Sequence, residues 1–200
     1  MTAVSVATAA DAPLVGEILA RGFHDDPMMR WMFEGDDATR AAKLDAFFGF
    51  LAVEAHVPLG ASFVADGACA CWCPPPGIDH WPDDRSARFG ELLGTVCSAQ
   101  DLTRLGIVGD TFDPAHPTEP HWYLGTIAVV PEHQHTGRGS ALLEHCLALV
   151  DATGMPAYLE SSNPENVAFY TRFGFEVVAE LPLGDDGPVV PAMWRPGLHD

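Results

Sequence analysis

Residues 123–150 run from an apolar stretch through a glycine-bearing turn into an amphipathic helix, and that order constrains the fold more than any other feature of the chain. The apolar stretch is Tyr123 to Val130, and the turn is Gln134, His135, Thr136, Gly137, Arg138, Gly139. After it, Gly139, Leu142, Leu143, Cys146, Leu147 and Val150 recur with helical spacing and form one apolar stripe, while Glu144, His145 and Asp151 take the wet side. A strand leading through glycines into a helix start presents unpaired backbone N–H groups and a partial positive charge, and glycine lets a diphosphate come close to the backbone. The stretch therefore reads as an anion cradle, although two glycines ahead of a helix also serve as a plain turn.

The segment that follows is equally regular. Pro156 to Ser161 is a short strand, and Asn163-Pro164 starts a helix with a good cap and a proline suited to the first position. Helical spacing there puts Asn163, Asn166 and Tyr170 on one face and Phe169 and Phe173 on another. Gly174 stops the helix and Phe175 to Leu181 resumes as a strand. Upstream, Val4–Thr8 is a first strand, helices run from Asp11 to Gly22 and from Asp37 to His56, and strands Ala61–Ala65 and Ala68–Trp72 flank the hairpin signal Asp66-Gly67. Pro74 to Gly77 ends that hairpin, helices occupy 83–98 and 100–109, and a loop at 184–188 precedes a last strand, Val189–Trp194. The order β-α-α-β-β-α-α-β-α-β-α-β-β predicts a mixed α/β sheet, and 200 residues without repeat or linker predict a single domain.

The turn Gln-x-x-Gly-x-Gly, the helix Asn-Pro-x-Asn-x-x-x-Tyr and the Gly-Phe stop, in this order over residues 121–181, resemble the GNAT-type N-acetyltransferase superfamily. The surrounding words His121–Leu124, Pro131–Gln134, Leu159–Asn163 and Met193–Pro196 are similar, more narrowly, to the branch containing puromycin N-acetyltransferase, as are Phe23–Pro27 and Trp72 ahead of Pro75-Pro76-Gly77. The family usually writes its turn Gln-Gly-Lys/Arg-Gly-aliphatic-Gly, so His135 and Thr136 replace the first glycine and the basic residue. A histidine tolerates positive φ better than a β-branched residue does. Arg138 either restores the lost charge near the phosphates or is a solvated helix-start residue.

The resemblance implies one GNAT-like domain over 1–200, a mixed, mostly antiparallel sheet flanked by helices. Its parts would be an acceptor-side half at about 1–120, an acetyl-CoA-binding core at about 121–181 and a C-terminal hairpin at 182–200. It implies acetyl-CoA as cosubstrate, held by the backbone of Ile127, Ala128 and Val129, by Gln134, His135, Thr136, Gly137, Arg138, Gly139 and Ser140, and by Asn163, Asn166 and Tyr170. The reaction it implies is direct transfer of the acetyl group to an amine. Alkyl amines have a pKa near ~10 and thiols near ~8.5, so a base must take a proton from the amine and an acid must give one to the departing sulfur. Tyr170 matches the family's general acid. Glu160, at the end of the strand before the Tyr helix, is the first candidate for the base, with a structural salt bridge as its competing role; His121 and Asp26 are the alternatives.

Charge narrows the partners. Ten basic residues, among them a single lysine, Lys43, stand against 28 acidic ones, a net charge of −18. Such a chain repels nucleic acid and attracts a cationic amine, although acidity equally serves solubility; with the aromatic residues of the N-terminal half, a small-molecule amine is the expected acceptor. No apolar stretch reaches the ~18 residues of a membrane span, no basic leader opens the chain, and five cysteines are an odd number, which together predict a cytoplasmic protein with free thiols, as monomer or homodimer. Cys69, Cys71 and Cys73 alternate along a strand, which suits burial better than zinc, and His133 and His135 read as turn residues, so no metal is expected. Trp31, Trp72 and Trp81, with Phe47, Phe48 and Phe50, either wall a substrate pocket or fill core. Two other functions stay open: an acyl-CoA-binding regulatory module without turnover, and a protein or peptide N-acetyltransferase.

Overall fold

The computed structural model describes residues 3–77 and 81–198, so both ends of the expected 1–200 span lie outside the described residues. Among the described residues, seven strands form one sheet in the order β1-β2-β3-β4-β5-β7-β6. They are β1 (Ser5–Val6), β2 (Ser62–Ala65), β3 (Ala68–Cys73), β4 (Trp122–Val129), β5 (Ala157–Glu160), β6 (Glu176–Pro182) and β7 (Val189–Arg195). Every neighbouring pair is antiparallel except β4 and β5, which run parallel. The expected mixed, mostly antiparallel sheet is therefore present.

Helices α1 (Ala12–Gly22), α2 (Pro27–Met32) and α3 (Asp37–Leu51) precede β2; α4 (Asp83–Val96) and α5 (Ala99–Ala115) join β3 to β4; α6 (Arg138–Asp151) and α7 (Val167–Thr171) flank β5. Two cores lie on opposite sides of the sheet, and the alternation of a strand assigns each residue to one of them. Along β3, Cys69 and Cys71 join Val15, Leu19, Leu44 and Phe48 from α1 and α3, whereas Ala68, Ala70 and Trp72 join Leu142, Leu143, Cys146, Leu147 and Val150 from α6. The α6 stripe is buried as its periodicity predicts, and the three strand cysteines are buried and form no disulfide.

Three departures from the sequence reading matter for the site. The helix α2 is additional: Asp26 caps it, its Oδ1 accepting from the amides of Met28 and Met29 at 3.0 and 3.1 Å, with Pro27 in the first position. The helix expected to run from Asp37 to His56 is α-helical only to Leu51, then widens into a π turn over Ala52–His56 and tightens over Val57–Leu59. The helix expected to end at 109 continues to Ala115, its start fixed by a reciprocal cap in which Asp101 N–H donates to Ser98 Oγ and Ser98 N–H to Asp101 Oδ2. Asp101 also holds Lys43 Nζ at 2.5 Å, and this buried pair ties α3 to α5.

Candidate active site

The parallel ladder between β4 and β5 is confined to Trp122 opposite Ala157 and Tyr123 opposite Tyr158. Beyond those pairs the two strands part. On the other edge of β4 the register against β3 slips at the same level: Cys71 faces Thr126 and Trp72 faces Leu124, which leaves Gly125 unopposed as a bulge. The ring of His56, from the π turn, lies 3.6 Å from where a side chain at Gly125 would begin, in van der Waals reach of the bulge. The bulge and the π turn thus pack against one another, two local irregularities that together shape a cavity.

That cavity has a volume of about 560 Å³. Its walls are largely apolar, with Leu51, Trp81, Val108 and Phe112 among them, and its polar lining includes His56, His116, Tyr123 and Glu160. Trp81 belongs to this wall, tilted against Phe50 and edge-on to Phe89 at 6.1 and 5.3 Å between ring centres. Phe47, Phe48 and Trp72 are core. Trp31 is held at the side, its Nε1–H donating to Asp186.

Glu160 projects from the last residue of β5 with its side chain 3 % exposed, and its Oε1 has no hydrogen-bond partner. An unpaired buried carboxylate oxygen is expensive, and such atoms concentrate where chemistry needs them. His116, just past the end of α5, places Nδ1 3.7 Å from that oxygen. Sequence reading missed His116; it lies past the last periodic position of its helix, and its partners come from distant loops. The residues Pro74 to Gly77 hold it there: Gly77 O lies 3.1 Å from His116 Nε2, and at φ 94 Gly77 passes so close to His121 that a side chain would meet the ring at 2.6 Å. His121 is fully buried, and burial lowers its pKa. Burial likewise holds His56 down to about 4 and, together with the charge of Glu160, pushes Tyr123 and Tyr158 up, so these four groups are neutral near pH 7.

On the far side of the parting strands, Tyr170 is buried beside Phe169 and Phe175. Burial and then the charge of Asp26 push its phenol up, so it keeps its proton. Asp26, one of the alternative bases, is occupied: besides capping α2 it accepts from Ser162 Oγ at 2.6 Å. The polar stripe expected from Asn163 through Asn166 to Tyr170 does not form. Residues Pro164–Asn166 wind as a 3-10 turn, which breaks the α-helical spacing, so Asn166 is exposed where Tyr170 is buried, and Asn163 spends its Oδ1 on the amide of Glu165.

The glycine turn is built as its residues suggest. His135 has φ 60 and Gly137 φ 84, so the histidine does adopt the left-handed conformation that the family's glycine would occupy. Gly137 caps α6 without any side-chain acceptor, leaving the first-turn N–H groups for another partner. Gln134 Nε2 donates to Val129 O at 3.1 Å, which pins the turn to the end of β4, and Thr136 Oγ1 donates to His133 O. Gly139 lies in van der Waals reach of Val129 and Phe169. Arg138 is turned to Asp66, donating to its carbonyl oxygen. His133 is packed against Gly67 in the β2–β3 hairpin. Among the described residues, no cluster of three or more His, Cys, Asp or Glu is arranged to hold a metal ion, and no helix is long and apolar enough to cross a membrane.

Comparison with known proteins agrees with this geometry. The acetyltransferase (GNAT) family profile matches residues 41–175. An uncharacterised N-acetyltransferase of Schizosaccharomyces pombe is 35% identical over 183 residues, covering 86% of this chain and 74% of its own. The crystal structure of histone acetyltransferase HPA2 and related acetyltransferase from Corynebacterium glutamicum superposes with a TM-score of 0.73 at 30% identity, over 100% of this chain and 98% of that one. The polyamine N-acetyltransferase of Drosophila melanogaster shares the fold at a TM-score of 0.63 and 12% identity, over 99% of this chain and all of its own. With the parted strands, the uncapped glycine turn and a family match spanning most of its length, this chain belongs to the GNAT acetyltransferase family and is an acyltransferase.

Proposed function

We propose that this enzyme transfers the acetyl group of acetyl-CoA to the amine of a small molecule held in the cavity beside Glu160. The observation that carries this reading is the cavity itself, an apolar chamber whose one buried carboxylate lies where β4 and β5 separate. Trp81 and Phe112 make it suited to a compact, partly apolar amine, and the net charge of −18 favours a cationic one. The resemblance to the puromycin N-acetyltransferase branch points to the same class of acceptor. The solved relative from Corynebacterium is named histone acetyltransferase HPA2 and related acetyltransferase, which is why protein and peptide amines belong in the test.

The residues fit acetyl-CoA. The uncapped α6 start with Gly137 and Gly139 suits a diphosphate, and the segment Ile127–Val129, beyond the last β4–β5 pair, suits an extended amide-bearing arm. Acetyl-CoA supplies an activated acyl group; the chain supplies proton transfer and position. Glu160 receives the proton that the amine gives up as its C–N bond forms, and Tyr170 gives its phenolic proton to sulfur as the C–S bond breaks, leaving an N-acetyl amide and a free thiol. The test is release of thiol from acetyl-CoA, with acetylation followed as a mass increase, over a panel of arylalkylamines, polyamines, aminonucleosides, amino acids and peptide N-termini. Acetylation of small amines is expected. Acetylation of polypeptide alone would establish the protein-directed reading, and binding of CoA without turnover on any amine would establish the regulatory one.

A further inference from the structure

The floor of the cavity holds a chain of ring nitrogens whose hydrogens can be counted, and the count is one short. His121 Nδ1 lies 2.7 Å from the carbonyl oxygen of Glu119, so that nitrogen carries a hydrogen. The ring is buried and held neutral, so its Nε2 is a lone pair. His116 Nε2 sits 3.2 Å from this lone pair and 3.1 Å from Gly77 O, two acceptors, and so carries the hydrogen between them. A neutral His116 then has its remaining lone pair on Nδ1, the nitrogen that faces Glu160. The 3.7 Å between Nδ1 and Oε1 is longer than the ~2.7–3.2 Å of a hydrogen bond. That spacing suits two acceptors facing one another.

We infer that Glu160 and His116 act as one base, the proton from the acceptor amine being held between Glu160 Oε1 and His116 Nδ1. This rests on the acetyl-transfer reading above. As the amine N–H bond breaks, its proton goes to this gap and turns two opposed lone pairs into an N–H facing a carboxylate. The proton is passed to solvent before the next turnover. His116 is thereby the positioning residue for Glu160 and shares its proton. The other groups facing His116 do not compete. Tyr123 and Tyr158 meet its ring edge-on at 4.8 and 5.1 Å as neutral phenols whose hydroxyls face the Glu160 carboxylate as donors and take no proton from it, His121 already donates elsewhere, and Asp113, nearly one turn back on α5, is exposed at the mouth. Cys73 on β3 lines the same cavity as a buried thiol.

The full chain with 15N-labelled histidine rings tests this by NMR, the His116 signals being identified by their loss in His116→Gln. Neutral His116 is expected as the Nε2–H tautomer, and on acidification a strongly downfield Nδ1 proton should appear that is lost in Glu160→Gln. Neutral His116 with its hydrogen on Nδ1, or the same Nδ1 proton signal in wild type and Glu160→Gln, would overturn the inference. Should Glu160→Gln fail to fold, Glu160→Asp withdraws the carboxylate by one methylene and must shift that signal, an unmoved signal being equally fatal. In kinetics with 2-phenylethylamine as the probe amine, His116→Gln should lower kcat at least about tenfold with the KM for acetyl-CoA unchanged. An unaltered kcat would leave Glu160 acting alone. Failure of every amine to react sinks the acetyl-transfer reading, while the NMR result still decides the pair.

Discussion

The guanidinium of Arg138 donates to the backbone carbonyl of Asp66 at 2.5 Å and stands 2.9 Å from its carboxylate, so the only cation in the glycine turn is already paired with the β2–β3 hairpin. The carboxylate is 61% exposed, and such a pair contributes at most ~1 kcal/mol. Asp66→Ala should therefore leave the fold intact and hold Arg138 by the backbone carbonyl alone, so that the guanidinium can turn toward a diphosphate and tighten CoA by up to about fivefold in calorimetry. The gain should shrink at high salt and vanish in Asp66→Ala/Arg138→Ala. Equal affinity of wild type and Asp66→Ala at low salt would show that Arg138 takes no part in binding.

Gly139 offers a second handle on the turn. A Cβ there would rest at 3.4 Å from Val129, an ordinary contact, so the helix accepts a larger residue without distortion. Gly139→Glu should fold normally yet lose CoA binding by at least about tenfold, because its carboxylate would lie at the helix start where an anion is to bind. Undiminished affinity in the folded variant would move the cofactor site elsewhere.

Much of this site was legible because its signals are local. The α6 stripe, the Asp66-Gly67 hairpin and the Asn163-Pro164 start each depend on residues within a few positions, and each is where periodicity and turn chemistry put it. The positive φ of His135 could be anticipated from the family's glycine at that place. What escaped is non-local or irregular. Asp26-Pro27 carried the same cap signal as Asn163-Pro164, but α2 has only six residues and hence no periodicity to read. The π turn before His56 conserves helical composition while changing which way the ring points. His116 gains its role from Gly77, His121 and Glu160, brought together by the sheet and by a proline loop, and nothing in its own neighbourhood announces them.

Lys43 and Asp101 provide a stability test away from the site. Their side chains are 7% and 0% exposed, and against the desolvation that would raise it, Lys43 and the amides of Ser98 and Glu34 hold the Asp101 carboxyl below its usual range. Lys43→Met strands a buried carboxylate and should cost about 3–5 kcal/mol in urea unfolding. Lys43→Met/Asp101→Asn removes the stranded charge and should cost less than the single change. A double variant as unstable as the sum of both singles would show that the charge is not what matters.

Stability should also fall on mild acidification because of His56. Its Nε2 is buried without a partner, and burial holds the ring near 4 against 6.5 when exposed. Between those values the unfolded chain takes up a proton that the folded chain refuses. The contribution is therefore complete above about pH 6.5 and is lost as the pH falls toward 4, amounting to at most about 3 kcal/mol because the half-buried ring also faces the cavity. His56→Phe should flatten this part of the stability profile, measured as the urea midpoint against pH. An unchanged slope in a folded His56→Phe protein would assign the acid sensitivity to other groups.

Tyr170 bears the most direct prediction about chemistry. Its ring packs beside Phe169 and Phe175, and its hydroxyl stays protonated under burial and the nearby charge of Asp26. Tyr170→Phe keeps the packing and removes only the proton donor, so folding and acetyl-CoA affinity should be those of wild type while kcat drops. General acid catalysis is worth roughly 10²–10⁴-fold, which is about 3–5 kcal/mol of barrier. The deficit should narrow with an acyl donor whose leaving thiol is more acidic, since such a thiolate departs with less help, and a merely structural tyrosine would show no such dependence. A Tyr170→Phe enzyme with full kcat on its amine, measured where the chemical step limits turnover, would rule this hydroxyl out as the acid and leave a cavity water or another group to protonate the sulfur.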